Sequence, residues 1–352
     1  MFVTIVIFLV IIAVAILAHE MGHYTSAKLS GVKVEELGFG FPPRLLSFKR
    51  GETVYSLNAI PLGGFTKLLG EEDPTMPDSL ASKSIATRFM VLSAGSLMNI
   101  LLPLLIFAII FMVPHDTLSE KVLIKEVATG SPAQSAGIEP GDIILEIDER
   151  TIQNRGDVAY SLHLNMGSEV DILLQKPDFS HQEVHLTPRW NPPEGQGAIG
   201  VAITGTDSTI INESYPVWKA VPLGLQHSWE ILVLFRNEVL SWIIGGKTPM
   251  MAGPIGIAQL TGEVAKGGPI PLLEFAALIN ISLAIINLFP FPGLDGGRIF
   301  FLFLEWIRRG KRISPQKEGL AHLIGFIILI LILAIVSYYD IVRIISGESF
   351  LP

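Results

Sequence analysis

The chain has 352 residues, of which 49% are apolar and 16% charged, and its formal net charge is -8. That balance belongs to a membrane protein rather than a soluble domain. Cysteine is absent, which excludes disulfides and thiolate metal sites, and the basic residues form no polybasic patch that would favour nucleic acid.

The first element is an uncharged run from Phe2 to Ala18, extended by polar residues to Tyr24. About 20 apolar residues cross a bilayer, so residues 1–25 are expected to form a first transmembrane helix. The run lacks a basic n-region and a small-residue cleavage site, so it reads as retained rather than as a signal peptide. Its end carries His19-Glu20-Met21-Gly22-His23. On a helix, His19 and His23 are one turn apart and face the same way. Two imidazoles so placed can hold one Zn2+. Glu20 is adjacent and can act as general base on a water at that metal. A carboxylate and two imidazoles are costly beside hydrocarbon, which favours function over a headgroup-facing pair of histidines.

Residues 34–70 follow. Val54–Ile60 alternates in polarity, and Arg50-Gly51 is a turn signal, so β-hairpins are expected. Phe89–Val113 is a second apolar span, within a segment 88–114. Residues 119–204 are a polar block with strands expected at Val122–Val127, Gly141–Asp148, Val170–Leu174 and Glu183–Leu186, and a helix at Asp157–Leu164. Within it, Gly130-Ser131-Pro132-Ala133-Gln134-Ser135-Ala136-Gly137-Ile138-Glu139-Pro140-Gly141-Asp142 is similar to a PDZ domain. Such domains accept an extended peptide along a sheet edge. An occluded or unused groove is the alternative.

Residues 213–248 mix Trp218, Trp229, Phe235 and Trp242 with Lys219, Glu230, Arg236 and Glu238. Amphipathic interfacial helices are expected there, the alternative being a linker helix packed on the polar block. Leu272–Phe291 is a third span, within a segment 272–298, and Leu320–Tyr339 is a fourth, within 320–345. The third ends Asn287-Leu288-Phe289-Pro290-Phe291-Pro292-Gly293-Leu294-Asp295-Gly296-Gly297-Arg298, which cannot stay regularly helical. Irregular backbone at membrane depth must be buried or line a wet cavity. Asp295 would give a third metal ligand, completing the open tetrahedral site of a hydrolytic zinc, the alternative being a helix-terminal cap near the cytoplasmic surface. Asn287 can hydrogen-bond unwound substrate backbone or a developing oxyanion, or else bridge helices. Asn99 and Asn280 read as interhelical hydrogen bonds, and His322 as an interface residue.

Lys28, Lys33, Arg44, Lys49, Arg50, Lys67 and Lys83 follow the first span, and Arg308, Arg309, Lys311, Arg312 and Lys317 follow the third. Both segments should face the cytoplasm, which puts the polar block outside and brings Asp295 to the side of His19 and His23.

With His-Glu-Met-Gly-His near the start, Asn-Leu-Phe-Pro-Phe-Pro-Gly-Leu-Asp-Gly-Gly near the end and a PDZ-like block between, the chain resembles the site-2 protease family of intramembrane zinc proteases. It is similar in particular to the bacterial branch that cleaves anti-sigma factors and signal-peptide remnants. Gly38-Phe39-Gly40, Ile60–Phe65, Gly253-Pro254-Ile255-Gly256 and Ala94-Gly95 with Asn99 are also family-like. One PDZ domain fits where some relatives have two, and Ser96 stands where relatives often carry Pro.

The resemblance implies a multi-span α-helical membrane protein of about four transmembrane helices. It adds a membrane-associated β-hairpin sheet and an inserted extracytoplasmic PDZ domain. It implies Zn2+ held by His19, His23 and Asp295, with Glu20 as base. Asn287 is implied to contact substrate, and an unwound substrate strand could add to the hairpin sheet, where Gly63, Gly64 and Phe65 would allow close approach. The hairpin could instead only pack the spans together. The expected partners are the lipid bilayer and single-span membrane proteins already trimmed outside, with no nucleic acid, in the bacterial inner membrane. A membrane-anchored PDZ adaptor with a non-catalytic metal is the alternative, though such a site needs no general base.

Overall fold

The computed structural model describes residues 2–71, 75–246 and 252–347. Residues 1, 247 and 248, at the ends of two expected segments, lie outside them. Along the chain, α1 (Phe2–Leu29) precedes β1 (Val34–Arg50), β2 (Thr53–Leu68) and α2 (Ile85–Met112). Then come β3 (His115–Val127), α3 (Pro132–Ser135), β4 (Ile143–Ile147), β5 (Arg150–Thr151), α4 (Arg155–Leu164), β6 (Val170–Gln175), β7 (His181–Leu186), β8 (Val201–Glu213) and α5 (Val217–Ile243). The chain closes with α6 (Pro254–Val264), α7 (Pro269–Leu288), α8 (Asp295–Ile307) and α9 (Pro315–Ile345). Two compact units result, one from residues 1–110 and 251–352, the other from residues 111–250.

In the first unit, α1, α2, α7 and α9 are each long and apolar enough to cross a membrane. The β1–β2 hairpin folds back on itself. Leu37–Phe39 pairs with Tyr55–Leu57 on one side and with Gly64–Thr66 on the other. The Gly64–Leu68 run is therefore an edge strand. Phe41, Leu45, Leu46 and Phe48 project outward from β1, a surface suited to lipid rather than water.

The third span ends sooner than its apolar run suggests. α7 stops at Leu288, the chain turns, and a new helix, α8, starts at Asp295. No helix is expected there from sequence, because adjacent glycines disfavour helix by about 1 kcal/mol each. The fold needs those glycines. A Cβ on Gly296 would lie 2.2 Å from the Phe289 carbonyl oxygen, and one on Gly297 would lie 2.4 Å from that of Phe291. Only glycine lets α8 begin against the turn that precedes it.

Apart from Gly325 and Asp340, little of α9 is buried. The Asp340 carboxylate accepts a hydrogen bond from the Gly256 N–H at 2.8 Å and pairs with Arg343 at 3.1 Å. The Gly253-Pro254-Ile255-Gly256 motif thus opens α6 by offering one orphan backbone donor, the Gly256 N–H, to a buried carboxylate.

The second unit is built on a sheet of order β7-β6-β4-β3-β8, with β5 paired to β4. Val122 and Ile124, and Ile172 and Leu174, alternate inward and form its core with Ile144 and Ile147, which flank a register shift in β4. Strand β8 has no counterpart in the sequence reading. It pairs with β3 from His115–Glu213 through Val127–Val201, well past the residues whose apolar alternation marks a strand. Its middle run, Thr204–Thr209, carries no apolar side chain, so ladder hydrogen bonds rather than burial hold it there. Helix α4 starts at a capping box. The Asn154 side chain accepts from the Asp157 N–H at 3.1 Å, and Asp157 accepts in return from the Asn154 N–H at 3.2 Å.

A single helix, α5, covers most of this segment. One face packs on α4, where the Asn237 amide donates to the carbonyls of His163 and Leu164 at 2.7 and 2.8 Å. The other face exposes Trp218, Val221, Leu225 and Trp229. Between α5 and the polar block, Glu230 is paired with Arg150 and accepts from Tyr160 Oη and Gln226 Nε2, each at 2.9 Å. Burial alone would raise the Glu230 pKa. Hydrogen bonds from His227, Gln226 and Tyr160, with the Arg150 charge, outweigh it and hold the carboxyl at about 2. A depressed carboxyl pKa stabilises the fold above its unfolded value and loses that contribution as pH falls through the folded one. The α4–α5 contact is therefore expected to loosen between about pH 4.5 and pH 2. Hydrogen exchange along α5 should show the loosening in the wild type, and Glu230→Gln should flatten the pH response; equal profiles would refute the assignment.

Candidate metal centre

Helix α1 brings His19 and His23 to one face, each only 8% exposed. The close crossing of α1 and α2 is a glycine contact from both sides. A Cβ on Gly22 would sit 2.3 Å from the Ala94 carbonyl oxygen, and one on Gly95 would sit 2.3 Å from His23 Nε2. Across that crossing His23 Nδ1–H donates to the Val91 carbonyl at 2.8 Å. Its proton is thereby committed to Nδ1, and a bare lone pair remains at Nε2.

That lone pair meets two others. Asp295 Oδ2 lies 3.0 Å from His19 Nε2 and 3.1 Å from His23 Nε2, and the two Nε2 atoms are 3.2 Å apart. A tetrahedron with bonds of about 2.0 Å has edges of about 3.3 Å, so the triangle matches one face of a zinc site. A cation placed between them would bind all three atoms at once. His19, His23 and Asp295 could hold a metal ion, and no thiol competes. Nitrogen and carboxylate oxygen donors with an open fourth position suit zinc.

Glu20 stands outside the triangle. Its Oε2 accepts from Thr66 Oγ1 at 2.7 Å, which fixes the carboxylate against the edge strand. Gly64 permits that approach, since a Cβ there would lie 2.9 Å from Glu20 Cγ. Glu20 and the triangle open into a cleft of about 410 Å³, also lined by Phe65, Lys67, Arg298 and His322. On its other side Glu20 borders an apolar groove between α1 and the hairpin, lined by Val14, Leu17, Phe39 and Phe48.

Of the residues expected at the site, His19, Glu20, His23, Asp295, Gly64 and Phe65 all border the cleft. Gly63 lies instead against the ring of Phe41, within the hairpin. Asn287 is half-buried on the last turn of α7, outside the cleft lining. Asn280 donates to Ala276 within its own helix at 2.8 Å rather than across helices. Both side-chain amide atoms of Asn99 are buried without a partner, so its expected interhelical bond is not formed. Two cleft-lining residues were not expected at the site, Thr66, which went unassigned, and His322, which was read as an interface residue. Thr66 is one threonine in a strand. His322 faces the cleft rather than a lipid interface, and its only local sign is Gly325, one turn on in an apolar helix.

A helix-borne imidazole pair and a distant carboxylate, gathered at the ends of apolar helices, define an integral membrane metalloenzyme. The model of Peptidase family M50 matches residues 7–332, and the chain belongs to that family. A protein of Clostridium acetobutylicum named among the zinc metalloproteases is 34% identical over 97% of this chain and 98% of its own. The regulator of sigma-W protease RasP of Bacillus subtilis is 26% identical over 97% and 98%, respectively. Among solved structures, the PDZ domain of an SdrC-like protein from Listeria monocytogenes aligns with 24% of this chain and 88% of its own, at 20% identity and a TM-score of 0.22. The protein is a zinc metalloprotease of the site-2 type and works as an intramembrane endopeptidase.

Proposed function

We propose that this protease cleaves single-span membrane proteins of the anti-sigma-factor or signal-peptide-remnant type after their external part has been trimmed. The observation that carries the reading is the meeting of three converging donor atoms, the Glu20 carboxylate and a β-edge in one cleft at the end of an apolar helix. His19, His23 and Asp295 are the proposed ligands. The zinc they would hold supplies positive charge that acidifies water and polarises a carbonyl.

Glu20 takes the proton of the attacking water as the C–O bond forms, then delivers it to the leaving nitrogen as the C–N bond breaks. Thr66 orients Glu20 for both transfers. A transmembrane peptide must unwind before its carbonyl can react, and unwound backbone in lipid lacks hydrogen-bond partners. The Gly64–Leu68 edge offers such partners by strand addition, with Phe65 against the substrate. Asn287, just beyond the cleft, would contact substrate further along. Gly63 serves that edge indirectly, by packing on Phe41.

The lysine and arginine distribution supports a cytoplasmic cleft and an extracytoplasmic PDZ-like block that restrains untrimmed substrates. The test is a single-span substrate offered with its external domain intact or truncated, in membranes containing the protease. The truncated form should be cleaved at least about 10-fold faster, and a zinc chelator should abolish cleavage of both. Equal rates would remove the trimming requirement, and chelator-resistant cleavage would remove the zinc mechanism.

A further inference from the structure

Helix α8 has a face that the mechanism above does not use. Gly296, Gly297, Leu302 and Glu305 are buried, whereas Phe300, Phe303, Trp306 and Ile307 are exposed, Trp306 by 63%. The Trp306 ring stacks on Phe303 with centroids 5.9 Å apart. An apolar groove of about 720 Å³ runs along this face. It is lined by Ala86 and Phe89 of α2, Leu288 and Pro290 before the turn into Asp295, and Phe303 and Trp306 of α8. It shares no lining residue with the cleft that holds Glu20.

One end of the groove is cationic. Helix α8 ends at Ile307, and Arg308, Arg309 and Lys311 follow, all exposed. Arg312 ties this segment to the start of α2, donating from Nη2 to the Ala81 carbonyl at 2.7 Å. Glu305 is already committed, to Arg88 at 2.7 Å and to Arg312 at 3.1 Å. Among the described residues no carboxylate pairs with Arg308, Arg309 or Lys311. The first turn of α2 carries no acidic residue, and its backbone adds the positive end of a helix dipole.

We propose that this groove binds an anionic phospholipid of the surrounding bilayer. The phosphodiester lies on Arg308, Arg309 and Lys311, and one acyl chain follows α8 toward Leu288 and Pro290. An apolar face alone would meet any lipid, and cations alone any anion. Their junction selects a molecule that carries both parts, as basic pockets between membrane helices do. Trp306 stands at that junction, where an amphipathic ring suits headgroup depth. The site does not require the protease reading, and the far end of the chain would rest against the turn that presents Asp295.

The test uses the full-length protein in phosphatidylcholine nanodiscs. Phosphatidylglycerol or phosphatidylcholine, each brominated on its acyl chains, is titrated in, and quenching of Trp306 is read as the difference between each protein and its Trp306→Phe counterpart. In the wild type, half-quenching should need about tenfold less brominated phosphatidylglycerol than brominated phosphatidylcholine. Arg308→Gln with Arg309→Gln should cut that preference at least about fivefold. Lys49→Gln with Arg50→Gln removes the same charge from the hairpin and should leave the preference within about twofold, because screening confines the effect to nearby cations. Ala86→Phe fills the groove and keeps the cations, and it should raise the phosphatidylglycerol needed about fivefold. Equal curves for the two lipids in the wild type would overturn the proposal. So would an equal loss from the hairpin pair, which would mark attraction by net charge only. Unchanged quenching in Ala86→Phe would take the acyl chain out of the groove and overturn it as well. A dimer that Ala86→Phe dissociates, with lipid preference untouched, would put a second copy of this chain on the face instead.

Discussion

Glu20→Gln is expected to lower the cleavage rate by about 10²–10⁴-fold, the usual contribution of a positioned general base. The substitution is nearly isosteric. A glutamine oxygen still accepts from Thr66 Oγ1, which lies 2.7 Å from Glu20 Oε2. The three atoms that could hold the metal come from His19, His23 and Asp295, so zinc content should stay at its wild-type level. What disappears is the ability to take a proton from water and return it to the amine. Cleavage of a truncated single-span substrate, measured beside zinc per chain, separates the effects. A variant that cleaves within threefold of wild type would remove Glu20 from the chemistry. One that loses zinc would show that Glu20 supports the metal instead.

The second large effect is expected at a residue with no reactive group. Gly95→Ala should weaken zinc binding by about 100-fold, the upper end of what changes around metal ligands produce. The added methyl would stand 2.3 Å from His23 Nε2 and 2.7 Å from His19 Cε1. Neither ring can give way freely, because each carries its ligand atom toward Asp295 and His23 is also tied to the Val91 carbonyl. Helix α2 would have to retreat from α1, and the tight fit at Gly22 would open with it. Ser96→Ala is the control. It removes a buried hydroxyl that has no partner and should leave zinc affinity unchanged. Competition against a chelator of known affinity reads both variants, and a Gly95→Ala protein that holds zinc as tightly as wild type would contradict this account of the crossing.

The contrast between these two residues shows what kind of information a sequence carries. His19, Glu20 and His23 are legible because helical spacing alone puts the imidazoles on one face. Asp295 is legible for a different reason, since prolines and glycines interrupt an apolar run and mark irregular backbone where lipid forbids it. Thr66 and His322 carry no such mark. Each matters because of a neighbour more than 25 residues away, Glu20 for Thr66 and Gly293 for His322. Helix α8 was hidden because glycine propensity argues against a helix, while the packing of Gly296 on the Phe289 carbonyl demands glycine. Strand β8 was hidden because its polar middle run is held by pairing to β3, and ladder bonds leave no periodic pattern.

By itself, then, the sequence determined the apolar helices, the imidazole pair with its carboxylate neighbour, and the break that sets Asp295 apart. Each is written in local spacing, apolar length or backbone stereochemistry. Tertiary structure alone decided the 3.0–3.2 Å triangle of candidate ligand atoms, the partner of Glu20, the contact of His322 with Gly293 and the face that α5 buries. These depend on which distant elements meet and at what separation, and helices meet where glycine lets their backbones close, a property of pairs of surfaces rather than of any one segment.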